Sequence, residues 1–474
     1  MKIFAANIQN IIHTLPQQTK IRNNYSINSE NLCLPTMSNI PFRSLSPRFL
    51  QAKQYLNSCN KAEKSSLYHF DLNKLDGIQE GIKSFHGLNM KEIAFFLSSV
   101  REFALFRGCY NMCAYCYADA KPPLKENDAS IHRMSWEDFK GLMDDIKELN
   151  SRLGFNVTTP IEPDETYGEY ITPFHDADCI DIILKDKNGC EHDFIDISKE
   201  LYETTNRYVL FDTAGWFPNN KSAQERAEKF VEYFKRPENF KNKVNVNISL
   251  NPFHSSYTKS IILAKEGKAE QSKRLRDLYT TRMANVLFTF TPLLRYKDFE
   301  FNARALQNGT SGLDGFCEDD LNKLFNEIMT KLKELYLQDL NSDKKHIKSK
   351  KQMLDNLHKY KKRYEVYLGI DYTEKLKELS NTSNEHRTIS DEILDRNQSL
   401  VKNSSNIIDI LKSSSFYGIL DANGKYYLTS FVATFPTDIE LNLKTKGKST
   451  APIRPNLQED IIIDKNKINT IVTE

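Results

Sequence analysis

Between residues 101 and 292, short β-rich runs alternate with helical patterns, and this rhythm constrains the fold more than any other feature of the chain. Strand, helix and returning strand in succession form the repeating unit of folds built on a parallel sheet. The strand candidates are Glu102–Arg107, Gly168–Phe174, Tyr208–Asp212, Val244–Leu250 and Val286–Thr291. Ser135 with Asp138 three residues on is a capping-box pattern, and Phe139, Leu142, Met143 and Ile146 follow it at helical spacing. A second helix is expected from Ser222, with Ala227, Phe230, Val231 and Phe234 on one stripe. Between strands two and three, Ile180–Leu184 and Phe194–Ile197 flank Asn188-Gly189, which predicts a hairpin insertion.

The flanks differ in texture. Residues 1–60 open on an arm rich in Asn, Gln, Ser and Pro, with little periodicity, and are expected to be partly disordered. Helical hints lead up to the apolar run Ile93–Val100, and residues 61–315 are expected to form one α/β domain. Residues 316–474 read as mainly helical with a terminal hairpin and a tail. There, Leu321, Leu324, Phe325, Ile328, Leu332 and Leu335 make an amphipathic helix, and Asn423-Gly424 joins Phe416–Leu420 to Tyr426–Val432. Residues 341–363 hold nine Lys/Arg and two acids, a local charge of +7, and residues 364–400 hold eight acids and four bases.

The whole-chain balance of 65 Lys+Arg against 63 Asp+Glu gives a net charge of only +2, which argues against a chain that coats nucleic acid or a membrane surface. No run approaches the roughly 18 apolar residues of a membrane span. The opening MKIFAANIQNIIHTLP lacks a basic region followed by a continuous apolar stretch, so a secretory signal is not expected and the cytoplasm is the expected compartment. Eight cysteines in 474 residues are too sparse for a disulfide scaffold. Five of them, Cys33, Cys59, Cys179, Cys190 and Cys317, are scattered and read as isolated thiols.

The remaining three are crowded. The segment Phe106-Arg107-Gly108-Cys109 runs on through Cys113 and Cys116, in a loop directly after the first strand. Thiolates at spacings of four and three can converge on one soft metal centre. A structural zinc wants four closed ligands, usually as two separated pairs, and no second CxxC pair exists in the chain. A 4Fe–4S cluster on three thiolates instead leaves one iron open. The competing readings are three buried core cysteines or an incomplete zinc knuckle.

CxxxCxxC, with Tyr115 just before the third cysteine and a strand just before the loop, resembles the radical S-adenosylmethionine superfamily. The resemblance covers roughly residues 100–300. It implies a partial (β/α)6 TIM-like barrel, here with the disordered N-terminal arm and a largely helical C-terminal extension. It also implies a 4Fe–4S cluster on Cys109, Cys113 and Cys116 whose open iron chelates S-adenosylmethionine. Reductive cleavage of that cofactor gives a 5′-deoxyadenosyl radical that abstracts hydrogen from a substrate.

Weaker echoes lie at later strand ends, where ligands gather in βα barrels. Where the family has a Gly-Gly-Glu-Pro-like segment binding the methionine amine, this chain has Phe174-His175-Asp176-Ala177-Asp178, so Asp178 or Asp176 would take that role without the glycines. Thr213-Ala214-Gly215 is similar to the family's turn against the cofactor, the competing reading being that Gly215 merely permits a tight turn. Ser249 and Asn251 resemble the ribose-binding position, and His254 in the same loop is a candidate for the substrate side. The expected fifth strand lacks the family's glycine-rich pattern, and Arg295, just past it, is a candidate for a cofactor or substrate carboxylate.

A radical enzyme of this kind needs a reducing, flavodoxin- or ferredoxin-like electron donor, and no membrane partner is expected. The substrate stays open between peptide, RNA and small molecule. The basic stretch Lys344–Arg363 interleaves His346, Tyr360 and Tyr364, a composition that grips phosphates and stacks bases. It supports the alternative of a non-catalytic zinc- or iron–sulfur-binding protein engaging nucleic acid through a basic helical segment. A solvated charged face is the plainer account of the same stretch.

Overall fold

The computed structural model describes residues 81–109, 133–154, 170–173, 176–216, 220–240, 244–249, 255–295, 302–308, 318–359, 361–367, 389–405, 416–429, 433–444 and 461–469, with positions 156, 158, 407, 410, 458 and 460. The expected N-terminal arm lies outside them. Helix α1 (Met90–Ser99) leads into β1 (Val100–Ala104) and β2 (Arg107–Gly108). After α2 (Trp136–Leu153) come β3 (Tyr170–Ile171), β4 (Asp176–Ala177) and a small hairpin of β5 (Leu184–Lys185) and β6 (Glu191–His192). Helix α3 (Phe194–Thr205), β7 (Tyr208–Thr213), α4 (Lys221–Phe234) and β8 (Val244–Ile248) follow. Then come α5 (Ser255–Lys265), α6 (Ala269–Phe290), β9 (Asn302–Asn308), α7 (Glu318–Ser342), α8 (Ile347–Asp355) and β10 (Lys361–Tyr367). The chain continues with α9 (Ile389–Asn403), β11 (Tyr417–Asp421), β12 (Lys425–Thr429), β13 (Thr434–Glu440) and α10 (Lys465–Asn469).

The fold is mixed α/β. Strands β3, β7 and β8 are parallel neighbours, β2 runs parallel to β4, and a parallel bridge from Glu102 to Thr172 sets β1 beside β3. Strands β9 and β10 form another parallel pair, with β9 lying against β8. On the other side of β1 stands β11, also parallel, followed by the antiparallel β12 and β13. Among the described residues no ladder joins the β9–β10 pair to the rest, so a closed barrel is not shown. Residues 316–474, expected to be largely helical, supply four of these strands, and three of them extend the sheet at β1.

Local signals explain much of this. Ser135 caps α2 by accepting the Asp138 N–H at 3.1 Å, as the capping pattern predicts. The cap of α4 is Asn220, two residues earlier than the expected Ser222, and it accepts the Ala223 N–H at 3.1 Å. Its stripe of Ala227, Phe230, Val231 and Phe234 is buried as expected. Gly189 and Gly424 take the positive φ of their hairpin turns, at 81° and 84°. The first hairpin is shorter than expected, because Phe194–Ile197 starts α3 and not a second strand. Leu324, Ile328 and Leu332 bury one face of α7.

The expected fifth strand is wrong. Val286–Thr291 is the end of α6, where Met283, Val286, Leu287 and Phe290 are buried at helical spacing. The β-branched and aromatic composition resembles a strand, but packing of one face decides the matter. The next strand is β9.

Helix α1 covers the outer face of β1, β11 and β12. Tyr426 inserts between Phe95 and Phe96, with ring centroids 5.7 and 5.2 Å apart, and its hydroxyl is 2.6 Å from Ser99 Oγ. Gly418 lies directly beneath that ring, where a Cβ would land on the Tyr426 hydroxyl. Gly418→Ala is expected to lower stability by about 2–3 kcal/mol, the cost of overpacking a filled core, as read from the shift of the urea unfolding midpoint. On the opposite face of β1 and β11, Tyr417 donates to Glu102 Oε1 at 3.0 Å in a buried pair.

Candidate functional site

Cys109 stands at the carboxyl end of β2, half-buried, with Gly108 before it at φ 111°, a conformation that favours glycine. The base of the segment that follows is pinned. Phe106 forms an antiparallel bridge with Arg133, the Met134 N–H donates to Leu105 O at 2.9 Å, and the Arg133 guanidinium lies 4.8 Å from the Phe106 ring centroid. The chain therefore leaves at Cys109 and returns at Arg133 beside the same strand. Cys113 and Cys116 lie on this segment, outside the described residues.

Neighbouring strand ends bring further candidates to the same edge. The β2–β4 register pairs Arg107 with Asp176 and Gly108 with Ala177, so Asp176–Asp178 runs alongside Cys109. Asp178 is buried, and its carboxylate is fully engaged. Oδ1 accepts from Thr213 Oγ1 at 2.6 Å and from the Ile180 N–H at 3.2 Å, while Oδ2 accepts from the Ala214 N–H at 2.8 Å. Thr213 Oγ1 in turn accepts the Gly215 N–H at 2.8 Å, and the Ser249 N–H donates to Thr213 O at 2.7 Å. Asp178, Thr213 and Ser249, at the ends of three separate strands, thus form one connected cluster. With these donors Asp178 shapes the turn after β7, which is a more immediate role than accepting from a cofactor amine.

Arg282 on α6 grips that turn from its other side. It donates through Nε to Trp216 O at 2.8 Å and through Nη2 to Ala214 O and Gly215 O at 3.1 and 3.3 Å. Gly215 adopts φ 75°, and a Cβ there would strike Val286. Both features call for glycine at this tight turn. Single-sequence reasoning missed Arg282, because its partners are backbone carbonyls more than sixty residues away.

Behind the turn sits a second acid. Asp181 is held at 3.5 Å from Arg226, whose Nε donates to Ile180 O at 2.6 Å. Burial, and then the charge of Asp178, push the Asp181 carboxyl up to about 7 against the pull of Arg226 and Arg282. With a folded value above the unfolded one of 3.8, the folded state holds the extra proton between about pH 4 and 7. Stability should fall as pH rises through that window and level off above it. Asp181→Asn should flatten this slope, which thermal unfolding of both proteins across pH 4 to 8 would read. Parallel profiles for the two would refute the assignment.

Other candidates fare differently. Asp176 lies on β4 at the same edge, whereas Asn251 and His254 are outside the described residues. Arg295 ends a 3-10 turn, Thr291–Arg295, that directly follows α6. It precedes the strand β9 and does not follow one, so the reason for placing it at a strand's ligand-binding end lapses. The basic stretch is likewise not one helix but α8, a 3-10 turn and β10. Within it, Lys350 is bound to Asp339 at 2.9 Å and Asp343 at 3.3 Å.

Of the three clustered thiols the described residues place only Cys109, half-buried at a strand end beside the Phe106–Arg133 bridge. Among the described residues, which include one of the three cysteines, no grouping of three His, Cys, Asp or Glu side chains could hold a metal. Comparison with family models, with curated proteins and with solved structures finds no match.

Proposed function

We propose that the chain is a radical S-adenosylmethionine enzyme built on a partial (β/α)6 barrel. The observation that carries this reading is convergence. Cys109, Asp178, Thr213 and Ser249 come from four neighbouring strands, and all stand at the carboxyl edge, where parallel sheets bind ligands. Six strand positions support the barrel: β1 with β2, β3 with β4, β7, β8, β9 and β10, each separated from the next by helix. On this reading the barrel reaches its sixth strand near residue 367, with β11–β13 flanking β1.

Cys109, Cys113 and Cys116 would supply three thiolates to a 4Fe–4S cluster. When bound, the cluster and S-adenosylmethionine supply one-electron reduction and a carbon-centred radical. The chain's own work is positional. Asp178 and Arg282 hold the turn 213–216 from opposite sides, so its backbone groups are fixed before any ligand arrives. The Ser249–Thr213 bond sets the β8 edge at the same level, and apolar packing of Phe211, Phe230 and Phe290 excludes water behind it. A cytoplasmic flavodoxin- or ferredoxin-like donor would deliver the electron. Among the described residues no helix is long and apolar enough to cross a membrane.

Anaerobic reconstitution with iron and sulfide tests the cofactor set. About four irons per chain and a broad visible absorption are expected of a 4Fe–4S centre. Stoichiometric zinc in place of iron would overturn the proposal.

A further inference from the structure

Outside the strand-end cluster, helices α4, α6, α7 and α8 line a cavity of about 750 Å³ that opens to solvent, a size that accepts a small organic molecule. Trp216, Phe288, Tyr336 and Met353 give it apolar walls, with the Phe288 and Tyr336 rings 4.8 Å apart at 58°. Its cations are all engaged by the protein. Lys350 is bound by Asp339 and Asp343, Lys235 pairs with Glu232, and Arg282 grips the carbonyls of 214–216.

Glu228 differs from the other acids of the lining. It is exposed on α4, its carboxylate accepts from Gln224 Nε2 at 2.9 Å, and no cation pairs with it among the described residues. Across the cavity, the side-chain N–H of Asn285 donates to Thr281 O at 2.9 Å, which leaves the amide oxygen as an acceptor. The uncompensated groups are thus acceptors, one of them charged, beside aromatic faces that themselves attract cations. Of the lining cations, Arg282 keeps a donor without a hydrogen-bond partner among the described residues, Nη1, and that atom is buried.

We propose that this cavity binds a small aromatic ammonium compound, its ring among Trp216, Phe288 and Tyr336 and its ammonium group on Glu228. The proposal does not rest on the iron–sulfur reading, since Glu228, Phe288 and Tyr336 have no part assigned to the cofactor. Trp216 nevertheless belongs to the turn that Arg282 grips, so occupancy should be sensed there.

The chain has two tryptophans, and Trp136→Phe leaves Trp216 as the only one. Titrating the full-length Trp136→Phe protein with 2-phenylethylamine should change Trp216 fluorescence saturably, with one-to-one stoichiometry by calorimetry. The anionic 3-phenylpropionate should give no response. Glu228→Gln, at an exposed position, should weaken amine binding about tenfold, as loss of a charge-assisted bond implies, without moving the thermal midpoint. Asn285→Arg should abolish it by placing bulk and positive charge at the mouth. No saturable signal with the amine, equal binding of amine and acid, or unchanged affinity in Glu228→Gln would each overturn the proposal.

Discussion

Alanine in place of any one of Cys109, Cys113 or Cys116 is expected to bring reductant-dependent release of 5′-deoxyadenosine down to the level of a protein-free mixture. Iron content after reconstitution should fall with it. In the proposed centre the three thiolates are the complete protein ligand set, so losing one leaves the cluster with two anchors and a second exposed iron. The other described cysteines provide internal controls. Cys179 is buried and donates to Asp212 O at 2.9 Å, and Cys190 is exposed beside the hairpin turn. Cys190→Ala should retain full iron content and full cleavage. If it lost iron as completely as Cys113→Ala, the assignment of the three clustered thiols would fail.

The second large effect is expected at Asp178. Alanine there removes the acceptor from the Thr213 hydroxyl and from the backbone N–H groups of Ile180 and Ala214, all in a buried setting. Each buried donor left unsatisfied costs about 1–3 kcal/mol, and the three together should lower stability by about 3–4 kcal/mol as read from urea unfolding. Asp178→Asn keeps one acceptor oxygen and should lose about half as much. The loss should be local in its first signs: the amide N–H groups of 213–216 should exchange with solvent faster in Asp178→Ala. Under the proposed function, S-adenosylmethionine affinity should weaken in parallel, because the same turn would lie against the cofactor. A shift of under about 0.5 kcal/mol, typical of a surface substitution, would show that the turn does not depend on this carboxylate.

Features that depend on a few adjacent residues were legible in the sequence. The Ser135 cap, the turns at Gly189 and Gly424, the buried stripe of α4 and strands β7 and β8 all follow from local pattern. Strand β9 was not legible: Asn302-Ala303-Arg304-Ala305-Leu306-Gln307-Asn308 has no strand-like composition, and its pairing with β10 defines it. Strand β10 hid in the same way within a run of lysines. The placement of β11 beside β1 joins residues about three hundred positions apart, and no local signal encodes that.

The candidate site divides along the same line. Asp178, Thr213 and Ser249 were each suggested by position at a strand end, yet their mutual hydrogen bonds emerge only when β4, β7 and β8 align. Arg282 and Asp181 were invisible for a related reason. Their roles depend on backbone carbonyls and a neighbouring acid that only the tertiary fold supplies.

The central claim is that the three clustered cysteines serve cleavage of S-adenosylmethionine. Its most direct test is to reconstitute the full chain anaerobically, add S-adenosylmethionine, and quantify 5′-deoxyadenosine with and without dithionite. Release of 5′-deoxyadenosine and methionine in equal amounts, only with reductant and only from iron-loaded protein, is the predicted result. Iron-loaded protein that releases none under any reductant would contradict it.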